Sequence, residues 1–183
     1  MKISYSIIDL LEIVSAHFDK LNIDYMITGS IALNIYVDTR STNDIDIIIN
    51  LKYEQVDTFL ELFSENYYFS KKTIKEEIQR QGMFNIISDT TGYKIDFIIK
   101  RDSEYMNCEF ERRSRKRVLN KFEAWVISAE DLVISKLMWI QQLESERQKD
   151  DISNLLLTQK NMDLDYIKSW IKKLNLNTYN LLK

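Results

Sequence analysis

Asp44 and Asp46 stand two apart in the run DIDIII. Side chains along a strand alternate faces, so both carboxylates point one way while Ile45 and Ile47 point into the core. Two such groups, roughly 6–7 Å apart at their backbones, repel each other unless a cation lies between them. Mg²⁺ suits that gap: it takes oxygen ligands at about 2.1 Å and keeps positions open for water and phosphate. Asp96, in KIDFII, has apolar Ile95 and Phe97 on its opposite face and joins the pair if its strand lies beside theirs. On the Asp44–Asp46 pair alone, a solvated sheet face explains the pattern equally well. A calcium-binding EF-hand loop fits less well, because its glycine is missing and the run is too apolar.

Upstream, Gly29 and Ser30 fall between a strand-like DYMIT and a helix-like SIALNIYV. A phosphate can approach backbone N–H groups at such a glycine because no Cβ intervenes, and the serine adds a hydroxyl donor. Taken alone, the glycine makes a turn and Ser30 caps the helix. With two aspartates downstream, a triphosphate held in front of metal-binding carboxylates is the better reading.

Two further charges lie where apolar residues are expected. Lys136 is four residues from both Leu132 and Ile140, and Asp151 lies four before Leu155. Each falls on or beside the apolar stripe of its helix, and inward-facing opposite charges invite pairing. A structural ion pair accounts for them as readily as a ligand contact does. The run ERRSRKR, residues 111–117, is read either as solvated surface or as a phosphate-backbone contact for an RNA, with Tyr105 and Phe110 near enough to stack on bases.

The elements that must position these residues follow from periodicity. Residues 4–21 read as a helix with Ile7, Leu11, Val14, Phe18 and Leu21 on one face. His17 sits beside that stripe and reads as structural. YEQVDTFLELFSEN reads as a second long helix. MFNIIS and YKIDFII flank DTTG as a hairpin, and FEAWVIS is the last strand. Residues 129–143, 147–157 and 163–174 read as helices. The expectation is an α/β (mixed α+β) core over residues 1–127, with a helical region, 128–183, packed on it.

Composition narrows the class. The 183 residues suffice for one packed core, and 45% apolar with 29% charged residues is ordinary for a globular chain. No apolar run approaches the roughly 20 residues a membrane span needs. One cysteine, Cys108, allows no internal disulfide, so a cytoplasmic setting without membrane attachment is expected. A net charge of −3 argues against a generally basic nucleic-acid binder.

The stretch GSIALNIYVDTRSTNDIDIII resembles the defining motif of the nucleotidyltransferase (DNA polymerase β-like) superfamily: Gly-Ser, a short helix and loop, then Asp-x-Asp on a strand. RSTNDID, GYKIDFII, ISAEDLVISKLMW and ESERQKDDISNLL are similar to the bacterial branch of AbiEii/AbiGii-type abortive-infection toxins, in the same order over residues 24–175. The resemblance implies the nucleotidyltransferase fold and transfer of a nucleoside monophosphate from a nucleoside triphosphate such as ATP. It implies that Gly29 and Ser30 contact the triphosphate and that Asp44, Asp46 and Asp96 ligate Mg²⁺. Two ions about 3.5–4 Å apart would then stabilise the attacking and leaving oxygens, with Asp96 accepting the acceptor's proton. It further implies that Lys136 reaches the triphosphate while Asp151, with Arg147 nearby, orients it. Arg40 and Thr42 match R-x-T-x-D-x-D and would contact phosphate or base, or order the loop before the strand. The implied acceptor is an RNA such as a transfer RNA, a protein side chain or a small molecule. A toxin with a cognate antitoxin is the implied setting. The competing class is a non-catalytic nucleotide-binding or protein-interaction module on the same fold.

Overall fold

The computed structural model describes residues 6–37, 42–63 and 65–182. Helix α1 (Ile7–Leu21) starts at Ser6, whose hydroxyl accepts from the Asp9 N–H while the Asp9 carboxylate accepts from the Ser6 N–H. Strand β1 (Tyr25–Ile27), helix α2 (Gly29–Tyr36) and strand β2 (Asp44–Ile49) follow. The expected long helix after β2 is broken: α3 (Val56–Leu60) is one short α-helical piece between two 3₁₀ turns.

Strand β3 (Tyr67–Tyr68) and helix α4 (Lys71–Arg80) were not expected from the sequence. The predicted hairpin is present as β4 (Met83–Ser88) and β5 (Lys94–Ile99), with Gly92 left-handed at φ +72° in its turn. Helix α5 (Glu104–Glu111), strand β6 (Ser114–Val118) and strand β7 (Phe122–Val126) complete the sheet region. Helices α6 (Ala129–Gln142), α7 (Glu146–Thr158) and α8 (Leu164–Lys173) lie within two residues of the expected bounds.

The seven strands form one mixed sheet in the order β3-β4-β5-β2-β1-β7-β6. Its centre is the parallel pair β2 and β5, and β1 joins β2 antiparallel and β7 parallel. Ile45, Ile47, Ile95 and Phe97 are wholly buried on one face, where Phe97 meets the rings of Phe18, Phe59, Phe63 and Phe84. The alternate residues of β2 and β5 therefore face the other side, where α2 and α6 pack. The fold is the mixed α/β arrangement that the hydrophobic alternation implied.

α2 is tied down at its far end. The Tyr36 hydroxyl donates to the Ile127 carbonyl at 2.6 Å, and the Gln159 amide donates to the Tyr36 carbonyl at 2.7 Å. β7 and α7 thus fix one small helix whose other end opens on the acidic face. Among the described residues no helix is long and apolar enough to cross a membrane.

Candidate active site

Parallel pairing puts Asp46 opposite Asp96, and Asp44 opposite Lys94. Asn85 is the partner of Asp96 on the other side, and the Thr28 N–H donates to the Asp46 carbonyl at 3.0 Å. One row across β4, β5 and β2 therefore reads Asn85, Asp96, Asp46, and continues to Thr28 just after β1. Asp96 is nearly buried, whereas Asp44, at the strand's start, is exposed.

The turn after β1 is built around Asp46. Gly29 is left-handed at φ +62°, and a Cβ added to it would overlap the Asp46 carboxyl. Both facts require glycine there. The helix begins at Gly29 with Thr28 as its extended N-cap, which makes no side-chain capping bond. Ser30 consequently sits inside the first turn rather than at the cap. The left-handed glycine starts the helix one residue earlier than the serine-cap pattern suggests. The first-turn N–H groups, which have no intrahelical acceptor, open beside Asp46.

α6 supplies the facing wall. Thr28, Gly29, Ser30, Asp46, Ser135, Lys136, Trp139 and Gln148 line a cleft of about 220 Å³. Lys136 is buried, and its ammonium donates to Asp151 Oδ2 at 2.9 Å and to Gln148 Oε1 at 2.8 Å. The inward-facing pair expected from the two helical stripes is present. Gln148, rather than the exposed Arg147, completes the group.

Helix α6 itself is held by Asp131. This buried carboxylate accepts from Ser128 Oγ at 2.5 Å, Arg112 Nε at 3.0 Å and Tyr166 Oη at 2.6 Å. Ser135 donates to the buried Glu109 Oε1 at 2.7 Å, and burial pushes the Glu109 carboxyl up to about 8.

The electrostatics centre on Asp46. Burial first, then the neighbouring Asp96 and Asp44 charges, push its carboxyl up to about 6, against the opposing pull of Lys136 and Lys94. Lys94 is held in its charged form chiefly by its bond to Asp96 Oδ2 at 2.7 Å, and it stands 3.8 Å from Asp44 Oδ1. Among the described residues no three acidic, histidine or cysteine side chains form a ready metal cage. The three carboxylates share one face, but an ammonium stands between two of them. The all-oxygen set still suits an ion such as Mg²⁺, which completes its shell with water and substrate phosphate rather than protein alone.

Other expected residues fall differently. The Thr42 hydroxyl accepts from the Asp44 N–H and donates to the Asp44 carbonyl, each at 3.3 Å, so it orders the entry to β2. Arg40 lies outside the described residues. Tyr105 and Phe110 are buried and present no faces to bases. The basic run enters β6 and is largely paired: Arg112 with Glu130 and Asp131, Arg113 with Asp24, Arg115 with Asp19. Trp139, Ser135, Gln148, Lys94 and Asn85 were not singled out from the sequence, because no local pattern marks them as neighbours of the carboxylates.

A strand–turn–helix corner thus stands before paired strand carboxylates, and the class of the chain is nucleotidyltransferase. The chain belongs to the family described as nucleotidyltransferase of unknown function (DUF6036), which matches residues 5–182. Solved structures with the same fold include ANT(2'')-Ia in complex with adenylyl-2''-tobramycin, at 11% identity and TM-score 0.56 over 91% of this chain and 97% of that one. The lincosamide adenylyltransferase LnuA, lincomycin-bound, gives 15% identity and TM-score 0.52 over 84% and 98% of the two chains. A nucleotidyltransferase-like antigenic protein from Paracoccidioides brasiliensis gives 16% and 0.52 over 90% and 86%. No curated protein matches the chain.

Proposed function

We propose that this chain moves a nucleoside monophosphate from a nucleoside triphosphate, ATP first among them, to a hydroxyl of a small-molecule acceptor, with the α–β phosphate bond broken and pyrophosphate released. The observation that carries this reading is the register match of Asp46 with Asp96 in front of the Gly29–Ser30 turn. Residues 1–127 would handle the nucleotide, while residues 128–183 would supply the wall that closes over it. Mg²⁺, held by Asp44 and Asp46 with Asp96 beside them, would offset the negative charge that builds on the phosphoryl oxygens during displacement. The Gly29 and Ser30 N–H groups and the Ser30 hydroxyl donate to phosphate oxygens. Lys136 neutralises the triphosphate, and Asp151 aims its ammonium. Asp96 accepts the proton of the attacking hydroxyl, and Trp139, about half exposed at the cleft, offers a ring face to the base. Thr42 orders the entry to Asp44.

A small acceptor is favoured over RNA because Arg112, Arg113 and Arg115 are already engaged by acids. The antibiotic complexes of two proteins with this fold support the same choice. The second reading, a toxin acting on transfer RNA and neutralised by an antitoxin, rests on the resemblance of GYKIDFII and ESERQKDDISNLL to the AbiEii/AbiGii branch. The test is incubation with Mg²⁺ and each α-labelled nucleoside triphosphate over a hydroxyl-rich antibiotic panel, transfer RNA and protein, beside Asp46→Ala. Label on a small molecule, lost in the variant, supports the proposal. Label that persists in Asp46→Ala overturns the mechanism, label on RNA selects the toxin reading, and triphosphate binding without label selects a binding module.

A further inference from the structure

Lys94 occupies a place that the two-ion scheme assigns to a metal. Register puts it directly across from Asp44 and two residues before Asp96 on the same face of β5. Its ammonium lies 2.7 Å from Asp96 Oδ2 and 3.8 Å from Asp44 Oδ1. The Asp96 side chain is only 12% exposed, and a carboxylate so enclosed requires a counter-charge. Asp46 turns elsewhere: its carboxyl is pressed against Gly29, on the cleft side, with Lys136 beyond. The acidic face is therefore divided. A positive charge serves Asp96 and one edge of Asp44, while Asp46 faces the Gly29–Ser30 turn and the rest of Asp44 is exposed.

We propose that Lys94 is a resident cation filling the position between Asp96 and Asp44, so that the site takes one divalent ion, with Asp44 and Asp46, instead of two. The proposal rests on the metal-binding reading above. It follows from two constraints. A second divalent ion placed against Asp96 would meet the ammonium at close range and be repelled, and moving the ammonium away would break its bond to a nearly buried carboxylate. A positive charge delivered by the chain itself also leaves Asp96 oriented before any ligand arrives.

The measurement is the number of Mn²⁺ ions bound per chain, followed by the electron paramagnetic resonance of free Mn²⁺, with a non-hydrolysable triphosphate present. Wild type is expected to bind one ion, Lys94→Met two, and Lys94→Arg one. Two ions on wild type would overturn the proposal without reference to any variant, as would one ion on both wild type and Lys94→Met. No Mn²⁺ on any of the three would overturn the metal reading first and this inference with it. Heat denaturation supplies a readout independent of ion counting. Without metal, Lys94→Met is expected to melt below wild type, and Mn²⁺ should raise its midpoint by more than it raises wild type's. An equal rise in both proteins counts against the proposal. Lys94→Gln replaces the methionine variant if that chain does not fold.

Discussion

Asp46 concentrates the conflict between stability and activity. Its carboxyl is raised to about 6 from an ordinary 3.8, so folding favours its neutral form. The stabilising contribution is complete below the unfolded value and is lost as pH rises through about 6. Asp46→Asn, which cannot ionise, should therefore be more stable than metal-free wild type at neutral pH, by on the order of 3 kcal/mol. That difference should shrink as pH falls towards 4, in denaturant titrations across the range, while label transfer is abolished. A difference independent of pH would contradict the assignment. Gly29→Ala should do the opposite to stability and also lower transfer. The left-handed backbone costs about 1–2 kcal/mol, and the new methyl displaces the Asp46 carboxyl, so stability and transfer should fall together, transfer by more than tenfold. Asp44, Asp46 and Asp96 were legible because a period of two is a strong signal when every alternate residue is Ile or Phe. Lys94 and Asn85 were not, because their roles come from register with other strands, and one strand's sequence does not state its neighbour.

At the scale of elements, α6 and α7 are coupled through one buried charge pair. Removing either partner breaks a buried charge pair, so Lys136→Met and Asp151→Leu singly should each cost about 3–5 kcal/mol. The double variant should recover most of that loss, because a well-packed apolar pair avoids the desolvation penalty. Its transfer activity should nevertheless stay absent, with triphosphate affinity reduced, as calorimetry would show. Recovery of stability without activity separates the binding role of Lys136 from its structural one. The pairing was readable because both charges interrupt an apolar stripe. The unread elements failed for equally specific reasons. α4 buries only Ile74 and is otherwise rich in Lys, Glu and Gln, so no stripe announces it. α5 buries Glu109 beside Tyr105 and Phe110, and an acid on the inner face breaks the apolar pattern. β6 is hidden inside SRKRV, where Ser114, Lys116 and Val118 are the less exposed set.

For the whole molecule, the paired arginines decide how the surface behaves. Arg112, Arg113 and Arg115 tie β6 and the end of α5 to α1, to the start of β1 and to α6, so the run acts as bracing. Filter binding at low salt should show little affinity for transfer RNA and little change as salt rises, and Arg115→Ala should leave transfer to a small acceptor unaltered. Strong retention with a steep salt slope would restore the RNA reading. The sheet order carries one more consequence, which concerns synthesis. β2 takes its neighbours from β1 before it and β5 long after it, and β1 in turn waits for β7. A nascent chain that has emerged through Ile49 carries Gly29, Asp44 and Asp46 with only β1 available to pair β2, and Asp96 joins the row only once β5 has emerged. Under the proposed function, fragments that end before β5 lack Asp96 and are expected to transfer no label.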